Sequence, residues 1–290
     1  MTRIAILGGQ GFLGAPMAAA FRSAGYEVVT FARNQIGASL DGNVKTDLFD
    51  IDSLRVALLD TRPNVVISTA WDTEHGKFWT SELNSKYKAA TLEFAELSFE
   101  LGVGAFLGLG TMSEYGSNPG ECNAEISPVV AADIYSKAKI ETGFELGKLG
   151  ESFGRKTNWL RIFQAFGPNE KPERFIPGLI STLKEGKPFS IRTPNYEMDW
   201  IHTSDVASAV LFSLENQLSH FVDIGTGIST TVKNLSELVC SELGLNAKLL
   251  DFSNQVPGHE KKIVVDLSSQ LFSAGWTPDE SLEYRISSLR

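Results

Sequence analysis

"LGGQGFLG" occupies Leu7–Gly14, directly after the apolar run Ile4–Leu7 and before a helical pattern over Ala15–Ala24. Glycines recur at every third position there: Gly8, Gly11 and Gly14. A strand that turns sharply into a helix needs a residue free to adopt positive φ. Where Cβ atoms are missing, a phosphate can approach the backbone and meet free N–H groups at the positive end of the helix dipole. The third glycine lets helix and strand pack closely. The spacing alone also describes a plain tight turn. Its place at the first strand–helix junction of an alternating chain makes it a dinucleotide-binding signature.

That alternation continues along the chain. Strand-like runs lie at Ile4–Leu7, Val28–Phe31, Val65–Ser68, Ala105–Leu109, Asn158–Arg161 and His220–Ile224. Helical patterns fill Ala15–Ala24, Ile51–Asp60, Phe78–Leu101 and Ile134–Leu149. Strands and helices in turn predict βαβ units, hence an α/β protein with a doubly wound, mostly parallel sheet covered on both faces. After Phe166 the texture changes. "GPNEKPERFIP" (Gly167–Pro177) is too rich in proline for a continuous helix or a central strand. We divide the chain into a dinucleotide-binding part, residues 1–166, with its sheet completed by about 200–228, and a smaller, partly interleaved C-terminal region, 167–290.

The 290 residues carry a formal net charge of -9 and no basic stripe, which argues against a nucleic-acid partner. Cys122 and Cys240 are far apart, and the four histidines show no ligand spacing, so neither a disulfide framework nor a metal site is expected. The first strand begins by Arg3, leaving no room for a signal peptide, and no apolar run approaches a membrane span. The expectation is a cytoplasmic protein without a membrane partner.

"YSKAK" (Tyr135–Lys139) places a tyrosine and a lysine four residues apart, on one helix face. A nearby ammonium favours the phenolate and makes tyrosine a workable general acid/base. "LGTMSEYG" (Leu109–Gly116) supplies a hydroxyl at Thr111, 24 residues before Tyr135. Together with the glycine loop, these segments resemble the extended short-chain dehydrogenase/reductases of the NAD-dependent epimerase/dehydratase type. "KTDLFD" (Lys45–Asp50), "LRIFQAFGP" (Leu160–Pro168), "MDWIHTSDVASAV" (Met198–Val210), "FVDIGTG" (Phe221–Gly227) and "AGWTP" (Ala274–Pro278) extend the resemblance along nearly the whole chain. It implies a Rossmann-type fold with a C-terminal substrate-binding region. Thr111 would bind the substrate oxygen, Tyr135 would transfer the proton, and Lys139 would hold the nicotinamide ribose. The implied cofactor contacts are Gly8, Gly11, Phe12, Leu13, Gly14, Arg33, Asp47, Leu48, Ala70, Tyr135 and Lys139. Thr111, Gln164, Arg174, Arg192 and Met198 are implied toward substrate. A homodimer through the long helices is common in the family.

Three positions depart from the family pattern. Tyr87 stands where an Asn assists catalysis, with Asn84 one turn earlier as a substitute candidate. Gln164 replaces another Asn. Met198 replaces an arginine that commonly binds a diphosphate, so Arg174, Arg192 or Lys171 takes over, or the substrate carries no diphosphate, or Met198 is simple packing. Trp71 and Trp79 flank His75 near the expected nicotinamide end and read equally well as packing or as substrate stacking, while His75 reads as a surface or loop histidine rather than a catalytic one.

The cofactor reading comes from "GYEVVTFARN" (Gly25–Asn34). NAD sites commonly place an acidic residue at the end of the second strand, on the ribose 2′-hydroxyl. Ala32 stands there, followed by Arg33, which can clamp a 2′-phosphate. NADP is therefore expected, with NAD as the alternative. The leading reading is an NADP-dependent oxidoreductase that reduces a keto group, or oxidises a hydroxyl, of a sugar-like or nucleotide-linked substrate, resembling the nucleotide-deoxysugar 4-ketoreductases. The alternatives are a nucleotide-sugar epimerase with retained NAD(P) and a non-catalytic NADP-binding sensor or scaffold. A dehydratase is disfavoured, because Met112 and Ser113 stand where dehydratases carry an Asp-Glu pair.

Overall fold

The structure is a computed structural model, which describes residues 1–33, 42–74, 76–256 and 261–290. Seven parallel strands form the main sheet: β1 (Arg3–Leu7), β2 (Glu27–Ala32), β3 (Asn43–Lys45), β4 (Val65–Ser68), β5 (Ala105–Thr111), β6 (Lys156–Ile162) and β7 (Phe221–Ile224). Their spatial order is β7-β6-β5-β4-β1-β2-β3. The chain starts in the middle, winds outward to β3, then crosses back to lay β4 on the other side of β1. That reversal opens a crevice at the carboxyl ends of β1 and β4, where doubly wound sheets hold their ligands. Leu7, the last residue of β1, lies in register with Phe31 of β2 and Ser68 of β4.

The seven principal helices are α1 (Gly14–Ser23), α2 (Ile51–Thr61), α3 (Leu83–Glu100), α4 (Ile134–Phe153), α5 (Phe175–Lys184), α6 (Thr203–Glu215) and α7 (Val232–Leu243). Strand residues alternate between the two faces of a sheet. Ile4 and Ile6 accordingly join Met17, Phe21 and Val206 on the face covered by α1 and α6. Ala5 and Leu7 join Leu54, Phe94 and Trp159 on the face covered by α2, α3 and α4. Trp159 fits only because its neighbours are glycines: a Cβ on Gly108 or Gly143 would stand 2.6 or 2.7 Å from its ring.

A second sheet is built around Glu197–His202, which pairs with Ser229–Thr231, Lys262–Val265 and Gln164–Phe166; Gly120–Cys122 pairs with Lys262–Val265. Its core unites α5, α7 and Trp200. The fully buried Asp199 holds it together. The carboxylate accepts hydrogen bonds from the backbone N–H groups of Thr226, Gly227 and Val265 at 2.7, 2.8 and 3.2 Å. "MDWIH" and "GTG" are thus two halves of one structural clamp.

Three local expectations change. β3 is an additional strand, whose three residues carry too little pattern to announce it. The helix expected over Phe78–Leu101 breaks into a 3-10 turn, Phe78–Thr80, and α3. Asn84 drives the break, since its side-chain amide donates to the Phe78 and Ser81 carbonyls at 2.7 and 2.8 Å. Finally, α5 begins inside the proline-rich stretch. Pro177 sits in its first turn, where a missing N–H costs nothing.

Candidate active site

The glycine loop leaves β1 through Gly8, whose φ of 77° is open to glycine at little cost. Gly8 N–H donates to the Phe31 carbonyl and Gly11 N–H to the Gly8 carbonyl, both at 2.8 Å. A Cβ on Gly14 would run into the Gly8 carbonyl, so this glycine alone lets α1 start against the turn. Gly9 is a fourth required glycine, missed from the spacing: its Cβ would stand 2.6 Å from the Thr30 methyl on β2. No side chain caps α1 at Leu13, so no side chain competes for its first-turn N–H groups. This cradle, which side chains would fill, fits a dinucleotide pyrophosphate.

Around it, Thr69 donates its hydroxyl to the Leu7 carbonyl at 2.9 Å, and Ala70 follows at the end of β4. Phe12 is half-buried, and Leu13 packs on the core. Ala32 closes β2, and Arg33 beyond it is exposed. Leu48 is buried, and Asp47 accepts a hydrogen bond from Phe49 N–H at 3.0 Å.

β5 delivers Thr111 and α4 delivers Tyr135 and Lys139 to the same end of the sheet. Asp133 caps α4 by accepting from Ser136 N–H at 2.7 Å, which fixes Tyr135 in the first turn. Tyr135 and Lys139 are only 7% and 4% exposed. Phe78 and Trp79 stand edge-on to the Tyr135 ring, with centroids at 4.8 and 5.5 Å. The Lys139 ammonium donates to the Leu109 carbonyl at 2.7 Å and lies 3.7 Å from the centre of the Trp71 ring.

Burial pushes the Tyr135 phenol above its ordinary pKa, opposed by the Thr111 side chain and by the charge of Arg174. Burial also pushes Lys139 down, to about 7. The ammonium meets a carbonyl and an indole and lies 5.9 Å from the centre of the Tyr135 ring, and the charge of Arg174 also favours the phenolate. That residue stands at the N-cap position of α5, and its guanidinium lies 3.7 Å from the Glu170 carboxylate, whose own pKa burial raises to about 7.

The remaining candidates separate. Gln164 is half-buried in register with Trp200. Met198 is half-buried on the central strand of the second sheet, packed against the cluster of Cys122 and Ile263. Arg192 and Lys171 are exposed. Asn84 is consumed by the Phe78 turn and by Trp71, whose indole N–H it accepts at 2.8 Å, so it is not a free substitute for the missing Asn. Tyr87 stacks on Trp71 at 5.6 Å. His75 lies outside the described residues. Among the described residues no cluster of three potential metal ligands occurs, and no helix is long and apolar enough to cross a membrane. A cleft of about 510 Å³ lies against α5 and is lined by none of Thr111, Tyr135 and Lys139.

A buried network that sequence reading missed supports Thr111 from behind. The fully buried Glu114 accepts from Thr111 N–H at 2.9 Å, the Trp159 indole at 2.9 Å and the Arg161 guanidinium at 2.8 Å. Arg161 donates to the Tyr115 hydroxyl at 3.0 Å, and Tyr115 donates to Asp223 at 2.7 Å. The "YG" tyrosine is therefore structural.

The sequence pattern of the NAD dependent epimerase/dehydratase family matches residues 4–225. The chain belongs to the NAD dependent epimerase/dehydratase family. Members of this family are NAD(P)-dependent enzymes of the short-chain dehydrogenase/reductase superfamily, and so is this chain. It is 25% identical over 304 residues to dTDP-6-deoxy-L-talose 4-dehydrogenase (NAD(P)(+)) of Kitasatospora kifunensis, covering 99% of this chain and 94% of the relative. The fold matches UDP-glucose 4-epimerase of Thermus thermophilus complexed with NAD. That match has TM-score 0.80 and 21% identity and covers 99% of this chain and 97% of the other. It also matches UDP-N-acetylglucosamine 4-epimerase of Methanobrevibacter ruminantium, with TM-score 0.85, 22% identity and coverage of 99% and 96%.

Proposed function

We propose that this family member is an NADP(H)-preferring reductase acting on the keto group of a nucleotide-linked deoxysugar. The observation that carries the reading is the convergence of Thr111, Tyr135 and Lys139 at the carboxyl end of β5, beside a glycine cradle. Burial keeps the Tyr135 phenol in its protonated form at neutral pH, the form from which a proton can pass to a carbonyl oxygen. A bound dinucleotide supplies the hydride. Thr111 Oγ1 and Tyr135 Oη hold the carbonyl oxygen, and the Tyr135 proton passes to that oxygen as the carbon is reduced. Lys139 holds the nicotinamide ribose, and Arg174 stabilises the phenolate that forms. Similarity to a deoxysugar 4-dehydrogenase over the whole chain supports the substrate class.

The test is incubation of dTDP-4-keto-6-deoxyglucose with NADPH. Stoichiometric loss of NADPH absorbance with formation of the alcohol is expected. Conversion of a nucleotide sugar to its epimer with no net cofactor consumption would replace this reading with the epimerase. Tyr135→Phe should lower turnover roughly 10²–10⁴-fold while NADPH still binds. Wild-type turnover in that variant would remove Tyr135 from the mechanism.

A further inference from the structure

Lys139 is held in an unusual way. Its single hydrogen bond among the described residues goes to the Leu109 carbonyl, and three aromatic rings stand around the ammonium. The Trp71 ring centre is 3.7 Å from the ammonium, the Trp159 ring 5.4 Å and the Tyr135 ring 5.9 Å. A cation at 3.7 Å over an indole face sits at contact distance in the geometry of a strong cation–π pair. Trp71 is itself fixed from two sides. Its indole N–H donates to Asn84 Oδ1 at 2.8 Å, and its ring stacks on Tyr87 with an interplanar angle of 28°. Asn84, in turn, is anchored by two backbone carbonyls. A surface tryptophan packed for burial alone needs none of these polar restraints. The chain Phe78/Ser81–Asn84–Trp71–Lys139 instead sets both the position and the orientation of an indole face, and that face meets the cation.

We propose that Trp71 is a positioning residue for Lys139: its indole, pinned by Asn84 and Tyr87, seats the ammonium where it meets the nicotinamide ribose. The inference rests on the dinucleotide role assigned to Lys139 above. It also accounts for Tyr87 and Asn84, which form the backing of the indole rather than a displaced catalytic amide.

The test compares Trp71→Phe, which keeps an aromatic face, with Trp71→Leu, which keeps apolar bulk without one. NADPH affinity by titration, kcat and KM for the ketosugar, and thermal midpoint are measured for each. Cation–π pairs are worth about 0.5–2 kcal/mol, which corresponds to roughly a 2- to 30-fold effect. Trp71→Leu is expected to weaken NADPH binding by about 5- to 30-fold, and Trp71→Phe to restore it to within about threefold of wild type, at matched thermal midpoints. A purely packing role predicts equal losses in both variants, or losses that track the midpoint, and either result overturns the proposal. Wild-type protein that binds no dinucleotide would instead overturn the functional reading. Wild-type binding together with unchanged binding in Trp71→Leu overturns only the role of Trp71. If Trp71→Leu does not fold, Asn84→Asp supplies the second variant. It keeps the acceptor for the indole N–H but loses the amide donors, so looser seating of Trp71 should weaken NADPH binding several-fold. Unchanged affinity in that variant also overturns the proposal.

Discussion

Glu114 shows what a single residue can carry and why its role is hard to read from a sequence. Within "TMSEYG" it looks like a loop acid, yet it is fully buried and holds Thr111, Trp159 and Arg161, partners up to 47 residues away. Only the fold brings β5 and β6 together, so no local pattern announces the pairing. Replacing it leaves the 2%-exposed Arg161 charged and without its carboxylate. Glu114→Gln should therefore cost about 3–5 kcal/mol, read as a lower midpoint in urea denaturation. A loss below about 1 kcal/mol would show that Arg161 finds other partners. The roles of Lys139 and Arg174 also depend on the fold, because "YSKAK" shows the spacing of a lysine and not where its ammonium goes. Lys139 has a folded-state pKa near 7, far below that of an unfolded lysine, so it loses charge as pH rises through about 7. If the ammonium must be charged to hold the ribose, ketosugar reduction should fall as pH rises above that value. A flat rate profile from about pH 6 to 9 would contradict this. Stability has the opposite slope. Between the folded and unfolded pKa values the unfolded chain binds more protons, so the penalty for burying Lys139 charged fades as pH increases.

Elements with strong local causes are legible in the sequence alone. The alternation of strands and helices, the glycine turn and the Asp133-capped start of α4 all rest on short-range chemistry. Sequence and fold part company where a distant partner decides the outcome. β3 is only three residues long and exists because β2 offers it an edge. The continuous helix expected from Phe78 is cut by Asn84, whose carbonyl oxygen is pulled toward Trp71 across the loop. Gly9 stays hidden because its constraint is a methyl on another strand, and the family spacing of glycines does not include it. The junction of β1 and α1 gives the sharpest test at this scale. Gly14→Ala forces a Cβ into the Gly8 carbonyl, and backbone cannot move aside as a side-chain tip can. We expect about 1–3 kcal/mol of destabilisation together with a marked loss of dinucleotide affinity. Gly25→Ala is the control. Its φ of 87° is costly for alanine, but no atom lies near the new methyl and the position is at the far end of α1. It should lower stability by about 1–3 kcal/mol and leave affinity unchanged. Equal effects of both variants on affinity would show that the loop answers to global stability rather than to its own geometry.

At the scale of the whole molecule, the question is how a chain of net charge -9 would come to prefer the more highly charged of two cofactors. A 2′-phosphate entering this protein moves against the mean field, but salt screens charges beyond about 8–10 Å, so the few groups at the rim of the crevice decide. The topology fixes which groups those are. β2 lies next to β1 in the order β4-β1-β2-β3, so the residues that follow its carboxyl end flank the ribose of a dinucleotide laid across the glycine cradle. Ala32 is the last residue of β2, and the exposed Arg33 comes directly after it. An acidic side chain at 32 would repel the phosphate and bond the 2′-hydroxyl of NAD. Alanine does neither, while the guanidinium of Arg33 can take two phosphate oxygens at once. One charge-assisted contact is worth about 1.5–3 kcal/mol, so NADPH should bind roughly 10- to 100-fold more tightly than NADH. The preference should narrow as salt is raised, because Arg33 is exposed. The double substitution Ala32→Asp, Arg33→Ala should reverse the order, with the glycine cradle and the Trp71–Lys139 pair untouched. Titration of both cofactors into wild type and variant decides it. Equal affinities in the wild type, or tighter NADH, would return the choice to NAD and shift the balance of the functional reading toward an enzyme that keeps its cofactor through each turnover.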